Sequence, residues 1–232
     1  MRAVQFAEGK VVVRDAPSPS GDGVRVRVRS IGICGSELDM LERGFPVSVV
    51  PGHEFAGELE DGTPVGVEPL APCGDCDQCA TGNYNMCRIG PRMVLGVGRD
   101  GGMANEAIVP ERSLVYLPAN VDVKDACLIE PLAVALHGLR KAGLDGSMRV
   151  GVVGGGAVGL CVVASAADAC AEVGLVARHP RQVEAGARLG AKDVDGTYDL
   201  VVECAGTDSA VSEAVRQPRG LASRVTVIPG LS

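Results

Sequence analysis

The sequence predicts an α/β protein in two parts: an irregular β-barrel domain over residues 1–145, then a doubly wound parallel-sheet domain over residues 146–232. Three observations predict it. Up to about residue 145, short apolar runs of strand period are broken repeatedly by Gly and Pro. From residue 146, strand-like and helix-like patterns alternate. Within the second part, a glycine-rich turn joins an apolar strand to an Ala/Val-rich helix at residues 154–159. No internal repeat or low-complexity tract interrupts this order.

Composition narrows the class of partner. The 232 residues are 46% hydrophobic with 32 glycines, which suits a folded core with tight turns rather than a disordered chain. A formal net charge of −7 disfavours a nucleic-acid partner, because counterion release needs a clustered cationic face. The one basic run, "VRVRVRS", alternates Arg25, Arg27 and Arg29 with valines and reads as a half-buried strand with a solvated arginine face. "MRAVQFAEGK" has no apolar signal core, and no stretch reaches the ~20 apolar residues of a spanning helix. The expectation is therefore a cytoplasmic protein without a membrane partner. Reduced thiols are then the rule, and nine cysteines cannot all pair within one chain.

Next along the chain come "SIGICGSELDML" and "PGHEFAGEL". Cys34, His53 and Glu54 are zinc-ligating residue types, though His53 alone reads equally as an ordinary turn residue. In "APCGDCDQCATGNYNMC", Cys73, Cys76, Cys79 and Cys87 follow the spacing C-x2-C-x2-C-x7-C. Short spacers let thiolates converge on one tetrahedral ion, and a four-sulfur shell leaves no place for water, so such a site is structural. An iron–sulfur cluster is the rival, but it favours other spacings and a trailing proline. "ACLIEPLAVALHGL" then sets Glu130 at the start of an apolar helix. Glu130 reads either as a carboxylate favoured by the helix dipole or as a third donor beside Cys34 and His53. A three-donor site with a fourth position open is the form of a catalytic zinc.

In "RVGVVGGGAVGLCVVASAADA", Gly154, Gly156 and Gly159 form G-x-G-x-x-G, with Ala157 and Val158 between the last two. Such glycines permit a tight turn, backbone approach to a diphosphate and close helix–strand packing, with the diphosphate at the helix start. "YDLVVECAG" reads as a further buried parallel strand. Cys127, Cys161, Cys170 and Cys204 lie in apolar patterns and read as buried small hydrophobes.

The segments "GICGSELDM", "PGHEFAGE", "EPLAPCGDCDQCATGNYNMC", "GGMANEAIVP" and "IEPLAVALHGLRKAG" together resemble the zinc-containing medium-chain alcohol dehydrogenases, nearest the sorbitol, threonine and glucose dehydrogenase branch. The resemblance spans nearly the whole chain. It implies a GroES-like catalytic barrel followed by a Rossmann domain, and two zinc ions per chain. Cys34, His53 and either Glu54 or Glu130 would hold the catalytic ion, and the cysteine loop the structural one. It also implies that Ser36 relays the alcohol proton, that Glu37 orients His53, and that Asp39 stands where the family carries a relay histidine. Ser36, Asp39 and Glu54 are thus the candidate catalytic residues. Ala205 and Gly206 would lie beside a cofactor ribose.

The family pattern puts Ala177 where NAD enzymes carry an acidic residue, with Arg178 and His179 following. No carboxylate repels a 2′-phosphate and a guanidinium is present to pair with one, which favours NADP(H) over NAD(H). Against the family the chain reads as compressed and shortened at its C-terminal end, leaving the Rossmann domain incomplete. The usual dimer strand is then missing, although a homo-oligomer remains open. The expected function is oxidoreduction of a secondary alcohol, polyol or sugar. The alternative is a non-catalytic, zinc-stabilised nucleotide-binding module or an inactive fragment. A zinc-free, quinone-reductase-like relative fits the ligand set poorly.

Overall fold

The computed structural model of the protein describes residues 1–7, 9–45, 47–169, 172–192, 197–216 and 224–228. The chain divides into two compact units, Met1–Glu130 and Pro131–Ser232, where the sequence reading set the division at residue 145.

In the first unit, β1 (Arg2–Ala7) and β2 (Lys10–Asp15) form an antiparallel hairpin. The main sheet comprises β3 (Val24–Ile31), β4 (Phe55–Glu58), β5 (Pro64–Val67), β6 (Glu106–Val109) and β7 (Leu114–Tyr116), in the order β6-β3-β4-β5-β7 with every pairing antiparallel. This curled sheet is the barrel-like element expected. Alternation builds its core: Val26 is buried in β3, while Arg25 and Arg29 point outward to Glu106 and Glu58 at 2.6 and 2.8 Å. Val26, Phe55, Val65, Leu95 and Val109 meet inside the sheet. Helix α1 (Gly35–Glu42) follows β3, and the four-residue turn of helix α2 (Asp77–Ala80) lies in the cysteine loop.

The second unit carries most of α3 (Ile129–Lys141), whose first two residues belong to the first unit. Strands β8 (Arg149–Val153), β9 (Glu172–Val176), β10 (Leu200–Glu203) and β11 (Arg224–Val227) pair in parallel in the order β11-β10-β8-β9. Helices α4 (Ala157–Ala169), α5 (Pro180–Arg188) and α6 (Asp208–Arg216) make the connections. The strands are near-continuous valine because both faces are covered. Val150, Val152, Leu200 and Val202 pack with residues of α3 and α4, whereas Val153, Val201 and Tyr198 pack with Ala210 and Ala214 of α6. Beyond β9, only the bridge Gly174–Lys192 marks the place of a further strand among the described residues, as the compressed sequence there implies.

Cys161 and Cys204 are buried as expected. Cys127 is only half-buried, in the 3-10 turn before α3, where its backbone N–H donates to Ser30 Oγ at 3.3 Å; Cys170 lies outside the described residues. So do residues 217–223 and 229–232, to which the expectations about the last strand partly refer.

Candidate functional site

The first site grows out of two turns. At the end of β3 the chain passes through Gly32, whose N–H donates to Glu54 O at 2.8 Å, and reaches Cys34 at the start of α1. Glu37, in the first turn of α1, is fully buried and has two tasks. Its Oε2 accepts the Cys34 N–H at 3.0 Å, and its Oε1 lies 3.0 Å from His53 Nδ1. Both Oε1 and Nδ1 are buried without a hydrogen-bond partner among the described residues, so this contact is an ion-pair approach only. The Glu37 carboxylate thus lies between the Cys34 backbone and the imidazole. The Pro51-Gly52 turn aims His53: Gly52 has φ +102° and accepts from the Gly102 N–H at 2.8 Å.

One ligand atom each of Cys34, His53 and Glu54 lies within 4.8 Å of the others. Burial pulls the His53 pKa down, but hydrogen bonding and Coulomb attraction to Cys34 and Glu37 win and push it up to about 10. Burial raises Glu54, opposed by the nearby His53 charge. Burial also raises Glu130, which feels the charges of His53, Glu54 and Glu37 but stands outside the three-residue cluster. So much negative potential around an imidazole in a thiol–imidazole–carboxylate set suits a divalent cation, and this donor set fits zinc. Ser36 is half-buried two residues from Cys34. Asp39 is engaged elsewhere, accepting from Arg43 Nε at 2.6 Å on the face of α1.

The second site lies wholly in the cysteine loop. All four thiols are free, with Sγ separations of 3.4 Å (Cys73–Cys87), 3.5 Å (Cys76–Cys79), and 3.9 Å for both Cys73–Cys79 and Cys76–Cys87. A tetrahedron of sulfurs at ~2.3 Å from zinc has edges of about 3.8 Å, so the four thiols match a metal shell and not disulfides. Gly74 and Gly82, at φ +88° and +81°, turn the loop around this point. Arg88 clamps Asp77 with two bonds of 2.8 and 2.6 Å, and Arg112 lies 4.6 Å above the Tyr84 ring. Thiolate charge is distributed unevenly. Backbone donors from Arg88 and Cys79 lower Cys76 to about 6, while a hydrogen bond to Asp75 raises Cys73 to about 12.

The glycine turn occupies the end of β8 in the second unit. Sheet order reverses here, since β9 lies on one side of β8 and β10 on the other, which is where dinucleotides bind in such sheets. Gly154 has φ +109°, and a Cβ on it would come within 2.8 Å of Ala205 N. A Cβ on Gly156 would meet nothing within 4 Å, leaving open space in front of the α4 start, where Ala157 is exposed and Val158 half-buried. A Cβ on Gly159 would fall on Gly154 O. These are the demands a diphosphate cradle makes on its three glycines. Ala177 is half-buried, and Arg178 and His179 are exposed between β9 and α5. Two residues that pattern reading passed over also matter. Gly32 lies directly beneath the Glu54 carboxylate, and Glu203 is a fully buried acid inside an apolar strand.

No helix among the described residues is long and apolar enough to cross a membrane. The family model for the alcohol dehydrogenase GroES-like domain matches residues 20–119. A sorbitol dehydrogenase of Halalkalibacterium halodurans is 34% identical over 171 residues, which is 67% of this chain and 49% of that protein. A structure described as a zinc-binding dehydrogenase of Sinorhizobium meliloti 1021 bound to NADP superposes with a TM-score of 0.86 at 30% identity. It covers 99% of this chain and 77% of that one. Galactitol-1-phosphate dehydrogenase of Escherichia coli superposes at 0.85 with 26% identity, over 100% and 76%. The chain spans about half the length of the curated relatives it matches. With the two cysteine-bearing sites and the glycine turn in one chain, these likenesses establish that it belongs to the zinc-containing medium-chain alcohol dehydrogenase family.

Proposed function

We propose that the chain is a zinc-dependent oxidoreductase acting on a secondary alcohol, polyol or sugar with a nicotinamide cofactor, NADP(H) in preference to NAD(H). The observation that carries this reading is the Cys34–His53–Glu54 cluster with Glu37 locked behind the imidazole, which a mere nucleotide-binding module has no use for. Cys34, His53 and Glu54 would hold the catalytic zinc, with Glu130 as the alternative carboxylate; Cys73, Cys76, Cys79 and Cys87 would hold the structural one. When bound, the metal would polarise the substrate hydroxyl and the nicotinamide would exchange hydride with the carbinol carbon.

The chain's own residues do the rest. The Glu37 carboxylate, 3.0 Å from His53 Nδ1, occupies that side of the ring and leaves Nε2 as the donor atom. Ser36 takes the substrate hydroxyl proton and passes its own outward, and Asp39, three residues on in α1, is the next acceptor through the carboxylate oxygen that Arg43 Nε does not engage. Gly154, Gly156 and Gly159 with the start of α4 seat the diphosphate. Arg178 and His179 meet a 2′-phosphate that no carboxylate repels. Reduced thiols at both sites fit a cytoplasmic setting.

The first test is zinc per chain, with an NADP(H)-linked screen of polyols. Two ions and polyol turnover support the dehydrogenase. One ion, surviving Cys34→Ala but lost in Cys76→Ser, with nucleotide binding and no turnover, supports the non-catalytic module instead.

A further inference from the structure

Glu203 ends β10 and is fully buried, following Leu200, Val201 and Val202 in a strand that is otherwise apolar. Its Oε1 accepts two consecutive backbone N–H groups, Ala205 at 2.7 Å and Gly206 at 2.9 Å. Its Oε2 is buried without a hydrogen-bond partner among the described residues. A buried carboxyl oxygen left without a donor is costly, and an apolar strand end would avoid that cost. Something other than packing retains this acid.

The two amides explain what it does. Successive N–H groups closing on one point, with Gly206 at φ +71°, form a small anion-binding concavity. The Glu203 oxygen fills that concavity from inside the chain. The same segment leans on the phosphate turn, because a Cβ on Gly154 would lie 2.8 Å from Ala205 N and 2.9 Å from Ala205 Cβ. Strand order then says which half of a dinucleotide it faces. The residues suited to the 2′-phosphate, Arg178 and His179, follow β9 on one side of β8, and Ala205 and Gly206 follow β10 on the other.

We propose that Glu203 is a positioning residue for the nicotinamide half of the cofactor. Its carboxylate claims the Ala205 and Gly206 amides, holds them against Gly154 and denies them to the diphosphate, which is left to the start of α4. This rests on the nucleotide reading above.

The test uses the full chain and two probes, NADPH and the adenosine half alone, 2′,5′-ADP, with thermal unfolding followed in parallel. Glu203→Ala raises the NADPH Kd about tenfold or more and leaves 2′,5′-ADP within about twofold. Glu203→Gln keeps an acceptor oxygen and restores NADPH binding to within about threefold. Unchanged NADPH affinity in Glu203→Ala, equal weakening of both probes, or failure of the Gln variant to rescue would each overturn the proposal. If Glu203→Ala does not fold, Glu203→Asp takes its place: one methylene shorter, it should weaken NADPH selectively, and equal affinity overturns the proposal. If the unsubstituted chain binds neither probe, the nucleotide reading itself fails, before any substitution is made.

Discussion

Gly32 follows β3, and a Cβ built on it would fall on the Glu54 carboxylate, with Glu54 Cβ 3.1 Å away. A single methyl group would therefore displace one donor of the proposed catalytic metal. Gly32→Ala should cost that ion and spare the cysteine-loop ion, halving zinc per chain by elemental analysis; full retention would show that Glu54 is not needed. At Arg178 the cofactor preference is exposed to a direct test. Arg178→Ala should weaken NADPH about tenfold and leave NADH unchanged, because only the former offers a phosphate to a guanidinium. Thiol chemistry supplies a third test. A lowered pKa means that thiolate is present above it, so Cys76, at about 6, is largely ionised at pH 7. Cys204, raised to about 12 by burial with the charge of Glu203 adding to it, stays protonated there. After chelation, iodoacetamide at pH 7 should label Cys76 well ahead of Cys204 in a peptide map; the reverse order would contradict the electrostatics of the loop.

Elements differ in how far their sequence betrays them. β3 was legible from its Val–Arg alternation, since one face is buried and the other pairs with Glu106 and Glu58. β8 and the start of α4 were legible because three glycines at fixed spacing have separate steric duties, which the structure shows one by one. The cysteine loop was legible because its ligands are local: the short spacers close the Sγ separations to 3.4–3.9 Å within one loop. Glu203 was not legible, since a lone acid ending an apolar strand carries no periodic signal. Packing energetics belong to this scale as well. Leu139 of α3 is 2% exposed within the core it shares with Val150 and Val202. Leu139→Ala should cost about 2–5 kcal/mol by chemical denaturation without changing zinc content, because the cavity it opens is in the second unit.

Across the whole molecule, the proposed metal donors lie in one compact unit and the proposed nucleotide turn in the other. Chelation should therefore lower the unfolding temperature of Met1–Glu130 and leave Pro131–Ser232 nearly unmoved, giving calorimetric transitions that separate; a common shift would deny that division. Acidification should act in the same direction, since protons compete for thiolate and imidazole as pH falls. The two-part architecture, the sulfur loop and the glycine turn could all be read from the amino-acid order. Each is written in neighbouring residues, whose period or spacing is itself the physical requirement. How Cys34, His53 and Glu54 meet, and that Glu54 rather than Glu130 stands in the three-residue cluster, came only from the long-range folding of the chain. Those relations join β3, the Pro51-Gly52 turn and the first turn of α1, and pairing across a sheet is not encoded in any local pattern.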